Sequence, residues 1–301
     1  MKRSLVKQGS ATLMVSLPAK WIKQNNLSKG SDIEIEEVDA NLIISAKPQE
    51  IKSETSIKIE SNVESYIRTL ITNSYRSGFD RIKINFENPT QFKILNNVIK
   101  TRLIGFEVIN KEKNYCIVEN ITEPSSDQFD SILRKIFFNI TELFEITKKI
   151  LRDKNINDED FEEIEERIQK YDNFCRRVIT KKKLFNKKSE FIWTFLSLII
   201  HGQREIYHIN KLLNKNFNVS IKTVEFLEEA EEFYEIIMQA YLNKNVSLIS
   251  KIHSKEKELL YKRGYLLLEQ TKGKEIIIIY HIMISIREFY QANSPLTVLI
   301  T

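Results

Sequence analysis

Several residues that mark common protein classes are scarce in this chain of 301 residues. It has two cysteines, Cys116 and Cys175, without CxxC spacing or neighbouring histidines. That excludes a disulfide framework and a zinc finger, and a reducing cytoplasm is the expected compartment. Glycine occurs only seven times, and no Walker loop or dinucleotide fingerprint is present. With no nucleophile elbow and no HExxH either, catalysis has no visible machinery, so a non-enzymatic role is expected. The longest apolar runs, "FIWTFLSLII" at 191–200 and "IIIIYHIMI" at 276–284, fall well short of the roughly 20 residues that cross a bilayer. The opening "MKRSLVKQGS" lacks the apolar stretch of a signal peptide.

What the chain does have is an uneven distribution of charge. Overall it is 42% hydrophobic and 29% charged, with a formal net charge of +5 and a pI near 8.9. These values fit a folded soluble protein with a mild basic bias. Before residue 32 there are six cations, Lys2, Arg3, Lys7, Lys20, Lys23 and Lys29, and no acid. From 32 to 39 there are five acids, Asp32, Glu34, Glu36, Glu37 and Asp39. Such segregation lets one face meet a polyanion while the other stays solvated; a plain dimerisation hairpin with solvated lysines is the alternative.

Local patterning within this segment predicts β-α-β-β. "TLMVSLP" alternates as a strand, with Leu13, Val15 and Leu17 on one face. Pro18 ends it and opens "AKWIKQNNL" as a short helix, and Gly30 supplies a turn. "DIEIEEV" places Ile33 and Ile35 inward, and "NLIISA" follows a turn at "VDAN". A unit this small buries little surface alone, which favours a homodimer through shared strands.

The run "LVKQGSATLMVSLPAKWIKQNNLSKGSDIEIEEVDANLIIS" resembles the AbrB, MazE and SpoVT family of swapped-hairpin DNA-binding domains over residues 1–47. The resemblance implies a homodimer that binds DNA through loop and helix. By position it puts Lys7, Gln8, Ser10 and Thr12 on the loop and Lys20 and Lys23 on the helix, so that on double-stranded DNA Lys2, Lys7, Lys20 and Lys23 contact phosphates and sequence choice comes from Arg3, Gln8, Ser10 and Thr12 or from DNA shape. Where many relatives have Gly-Gly-Ser or Gly-Asn-Ser, this chain has Gly9, Ser10 and Ala11.

Further along, "KPQEIKSETS" at 47–56 reads as a linker. "SNVESYIRTLITNSYRSGF" has helical spacing at Val63, Tyr66, Ile67, Leu70, Ile71 and Tyr75, with Ser61 or Asn62 as cap and Gly78 as stop. "DRIKINF" is a strand, "PTQFKILNNVIKTRL" a helix and "GFEVINKEKNYCIVENI" a hairpin, making an α/β unit over about 57–122. From Asp127 onward the spacing is helical, and six long helices predict a bundle of two three-helix halves. The basic connector Lys181 to Lys183, Lys187 and Lys188 is either a solvated turn or a second contact to DNA or a membrane surface.

"LITNSYRSGFDRIKINF" and "RLIGFEVINKEKNYCIVENI" resemble the middle region of archaeal phosphate uptake regulators, and the two helical halves resemble the repeats of the PhoU family. The resemblance implies a divalent or ferric ion on a carboxylate motif in each repeat. Carried over, the first motif falls on Ile168, Gln169 and Asp172 and the second runs from near Ser254 to Glu258, so only Asp172 and Glu258 retain carboxylates. Arg204 and His208 hold their places in a neighbouring motif whose aspartate is Tyr207 here. One carboxylate per repeat is poor provision for a hard metal ion, and ordinary solvated or paired helix residues are the other reading.

The expected architecture is multidomain α+β: an AbrB-like domain at 1–47, a small α/β domain at 48–122 and a PhoU-like all-α bundle at 123–301. The expected function is that of a DNA-binding transcription regulator linked to phosphate. The alternative is a signalling adaptor that docks on a phosphate ABC transporter or sensor kinase and uses its first domain to dimerise.

Overall fold

The computed structural model describes residues 2–9, 12–38, 41–46, 52–122, 128–153, 158–182, 185–213 and 218–301. The chain divides into two compact units, Met1–Lys52 and Ser53–Thr301. The expected junctions at 47–48 and 122–123 fall on or beside residues outside the described set.

The first unit is built from two separate two-stranded hairpins and one short helix. β1 (Val6–Gln8) pairs antiparallel with β2 (Thr12–Met14), placing Gln8 opposite Thr12 and Lys7 opposite Leu13. The order is therefore ββαββ; the strand before the glycine is additional, and β2 is shorter than the expected seven residues. Pro18 caps α1 (Ala19–Gln24) from an extended conformation, φ −64° and ψ 127°. Gly30 has φ +90°, the left-handed geometry expected of that turn. β3 (Ile33–Val38) then pairs with β4 (Asn41–Ala46), while Asp39 and Ala40 of the expected turn lie outside the described residues. Their register sets Ile33, Ile35, Leu42 and Ile44 on one face. That face is not covered within the chain, because Ile35 is 57% exposed and Leu42 66%. The inward placement expected for Ile35 is thus corrected: two isolated hairpins supply no second layer to bury it.

The second unit begins with a strand inside the stretch that reads as a linker. β5 (Glu54–Lys58) lies parallel to β6 (Arg81–Asn85), with α2 (Glu64–Arg76) crossing between them. Its single apolar residue, Ile57, offers too little alternation to be recognised in sequence. α3 (Pro89–Arg102) leads to β7 (Phe106–Lys111), which pairs with β8 (Tyr115–Asn120), and the sheet order is β5-β6-β8-β7. One sheet face, with Ile82, Ile84, Cys116 and Val118, packs into a core with Ile67, Ile71 and Tyr75 of α2 and Leu95 and Val98 of α3. Val63 precedes α2 as its cap residue and is exposed, so neither Ser61 nor Asn62 is the cap. Gly105 has φ +76°, and a Cβ there would lie 2.3 Å from the Thr122 carbonyl oxygen, so the turn before β7 admits only glycine.

The helical layer comprises α4 (Phe129–Asp153), α5 (Asp158–Lys182), α6 (Ser189–Leu212) and α7 (Ile221–Leu242). α8 (Leu248–Lys257) continues through a π-helical segment, Glu258–Gly264, into α9 (Tyr265–Gln270), followed by α10 (Glu275–Gln291). These match the six expected helices, and α11 (Asn293–Ile300) is an addition that packs on α6 and α7. One hydrophobic core runs through all of them, including Phe137, Phe144, Phe195, Tyr234 and Phe289. α6 and α10 approach closely at Gly202, where a Cβ would stand 2.5 Å from the Phe289 ring. The two cysteines are free and buried in separate cores. Burial pushes the Cys116 thiol up to about 12 and lifts Cys175 well above its ordinary range, so both are inert packing groups.

Candidate nucleic-acid interface and buried ion network

In the first unit the predicted DNA-contacting residues are all accessible where they are described. Lys2 and Arg3 precede β1, Lys7 and Gln8 lie in β1, Thr12 in β2, and Lys20 and Lys23 on α1, all exposed. Ser10 lies outside the described residues. The register separates the hairpin residues: Gln8 and Thr12 face each other on one side, while Lys7 shares the other with Leu13, itself 62% exposed. No described side chain of this unit is buried. Its cations are therefore presented to solvent, and its apolar residues are presented with them.

Asp172 and Glu258, the two candidate metal ligands, occupy different surroundings. Asp172 on α5 is 1% exposed, and its carboxylate accepts from Arg176 Nε at 2.9 Å on both oxygens and from Arg76 Nη2 at 3.0 Å. Glu258 is exposed at the end of α8. No group of three or more histidine, cysteine, aspartate or glutamate side chains converges among the described residues. A carboxylate held by two guanidinium groups offers a cation no vacant ligand set, so these residues do not fit the metal site that the resemblance implies.

Around Asp172 lies a network with no counterpart in the sequence reading, joining α5 to the α/β layer. Arg177 donates from Nη1 to the Tyr75 carbonyl at 3.1 Å and the Phe79 carbonyl at 2.8 Å, and from Nη2 to Asp80 Oδ1 at 2.8 Å. Its guanidinium also stands over the rings of Tyr75 and Phe106 at 5.1 and 4.9 Å. In this way a residue of the bundle adds a second donor to the Tyr75 carbonyl at the end of α2, which also accepts from the Gly78 N–H at 3.0 Å. Asp80 accepts further bonds from Lys181 Nζ, Ser53 Oγ and Ser53 N–H. Burial alone would raise the Asp80 carboxyl, but Lys181 and Ser53 outweigh it and hold the group below its ordinary 3.8. Lys181 of the basic connector is thereby committed to an ion pair, and Lys183 lies outside the described residues. Arg76 Nε also donates to Asn173 Oδ1 at 2.7 Å, and Asn173 Nδ2 donates to the Arg102 carbonyl at 2.9 Å. The available signal was "CRRVI", two arginines on a helix face otherwise filled by Phe174, Cys175 and Val178.

Against known proteins, a family model described as antidote-toxin recognition MazE, bacterial antitoxin, matches residues 6–52. No curated protein and no solved structure matches the chain. The first unit is thus similar to MazE- and AbrB-type domains, a class associated with nucleic-acid binding and dimerisation. The whole chain is a multidomain α+β protein in which that unit precedes an α/β layer and a helical core. No helix among the described residues is long and apolar enough to cross a membrane.

Proposed function

We propose that this protein is a cytoplasmic, non-enzymatic transcription regulator that binds operator DNA as a homodimer through residues 1–47. The observation that carries the reading is the combination of six cations without an acid before residue 32 and their complete exposure on a MazE-like unit. Dimerisation is supported by the uncovered face of Ile35 and Leu42, which a second copy of the hairpin would bury. Lys2, Lys7, Lys20 and Lys23 anchor phosphates; Arg3, Gln8, Ser10 and Thr12 face the bases. A link to phosphate uptake rests on the resemblance of residues 70–86 and 102–121 to phosphate uptake regulators, with the helical core as the sensing or relaying part. The same resemblance supports docking on a phosphate transporter or kinase.

The description of the matched family supplies a second reading, an antitoxin-type role in which this protein binds a toxin protein. Fluorescence anisotropy of the full chain on its own upstream duplex and on a scrambled duplex, across a salt series, distinguishes these. Operator binding predicts preference for the upstream duplex, and Lys20→Ala with Lys23→Ala, which removes these lysines from both protomers, flattens the log K against log salt slope by about 4. Equal weak binding to both duplexes, unchanged in the double variant, overturns it and leaves a protein-docking role for the dimer.

A further inference from the structure

Within the second unit, α2, the end of α3, α5 and α6 line a cleft of about 580 Å³. Its walls carry four arginines, Arg68, Arg76, Arg102 and Arg204, against one carboxylate, Glu165. Two of the four have acidic partners: Arg68 Nε lies 3.2 Å from Glu64, and Arg76 Nη2 lies 3.0 Å from Asp172. The other two have none among the described residues. Arg204 makes no hydrogen bond or ion pair there, and Arg102 Nη1 is shut off from solvent without a hydrogen-bond partner.

Glu165 forms no ion pair with either of them among the described residues. Its oxygens accept from Gln169 Nε2 at 3.0 Å and Gln203 Nε2 at 2.6 Å. Burial pushes its carboxyl upward, and the bond from Gln203 and the fields of Arg204 and Arg102 only partly oppose this. His208, on the same wall, is held below its ordinary value chiefly by burial, which keeps its imidazole neutral. The cleft therefore has two guanidinium groups without an ion-pair partner among the described residues, and a buried N–H such as Arg102 Nη1 left without an acceptor is costly. A guanidinium fork matches the paired oxygens of a carboxylate or phosphate.

We infer that this cleft binds a small doubly charged oxyanion, a phosphate group or a dicarboxylate, through Arg102 and Arg204. Arg102 belongs to the α/β layer and Arg204 to the helical core, so the ligand joins the two layers and stabilises the folded unit by mass action. The site lies wholly within residues 53–301.

The test is isothermal titration calorimetry of the full chain at fixed ionic strength, with inorganic phosphate, sulfate and succinate titrated separately and sodium chloride as blank. A single site per chain is expected, with the affinity lowered at least about tenfold in Arg204→Gln and in Arg102→Gln. Arg204→Lys keeps the charge without the fork and retains an intermediate affinity. Preference for phosphate and sulfate assigns a tetrahedral group, and preference for succinate a dicarboxylate. Lys20→Ala, in the other unit, leaves the binding unchanged. The inference is overturned if no anion exceeds chloride, or if the affinity survives in folded Arg204→Gln. Because Arg204 has no partner to lose, that variant keeps the test decisive even where Arg102→Gln fails to fold, and a far-ultraviolet circular dichroism melt checks folding in each case.

Discussion

The two units treat the same kinds of side chain in opposite ways. In the first, Lys7, Lys20 and Lys23 stand in solvent, and so do Leu13, Ile35 and Leu42. In the second even an arginine is interior: Arg177 is 2% exposed, with Nη1 and Nη2 committed to two carbonyls and a carboxylate. Exposed cations in a unit without a core are free to meet phosphates, and exposed aliphatics beside them call for a second copy. Buried cations fix one layer against another and are unavailable to any partner. Charge count alone thus says little about nucleic-acid binding; the environment of each cation decides it.

Replacing Arg177 is the strongest way to break this comparison. Arg177→Ala strips Asp80 of its guanidinium and removes a donor from each of the Tyr75 and Phe79 carbonyls. The second unit should lose about 3–5 kcal/mol, read from denaturant unfolding. A loss under about 1 kcal/mol, the scale of a surface pair, would mean that the network merely decorates the interface. A second effect, confined to the first unit, is expected from Ile35→Ser combined with Leu42→Ser. Each removes roughly 1.5–3 kcal/mol of burial available to a dimer, so sedimentation should show dissociation while the melting of the second unit stays put. Dimerisation unaffected by both changes would place the interface elsewhere.

The smallest expected effect is a pH dependence that distinguishes the buried network from the exposed surface. Asp80 has a folded-state pKa below its ordinary 3.8. Its contribution to stability is therefore complete above that value and is lost as pH falls through the lower folded-state pKa. The stability difference between the wild type and Asp80→Asn should be constant near neutrality and shrink only in this acid window. A difference that changes between pH 6 and 8 would point to another titrating group.

Much of the architecture was legible because it rests on local periodicity. The helix faces through Phe129, Leu133, Ile136, Phe137 and Ile140 and through Phe161, Ile164 and Ile168 are buried as their spacing requires. Gly30 and Gly78 take the left-handed geometry expected of a turn and a helix stop. β5 escaped notice because an edge strand with one inward isoleucine has no pattern of its own until β6 supplies its partner. The Arg177 network escaped because its members are separated by about a hundred residues, and no local rule relates Asp80 to Lys181.

By itself the sequence determined the order of most elements, the basic opening, the acidic stretch after it and the aliphatic stripes of the helices, since each follows from neighbours within a turn or two of chain. Only the tertiary structure decided which charges are exposed and which buried. It tied Asp172 to two arginines rather than to a ligand cluster, spent Lys181 on Asp80 and left Arg102 and Arg204 facing a common cleft. The physical reason is that a charge's energy depends on the solvent and partners around it, and folding brings those partners together from distant parts of the chain.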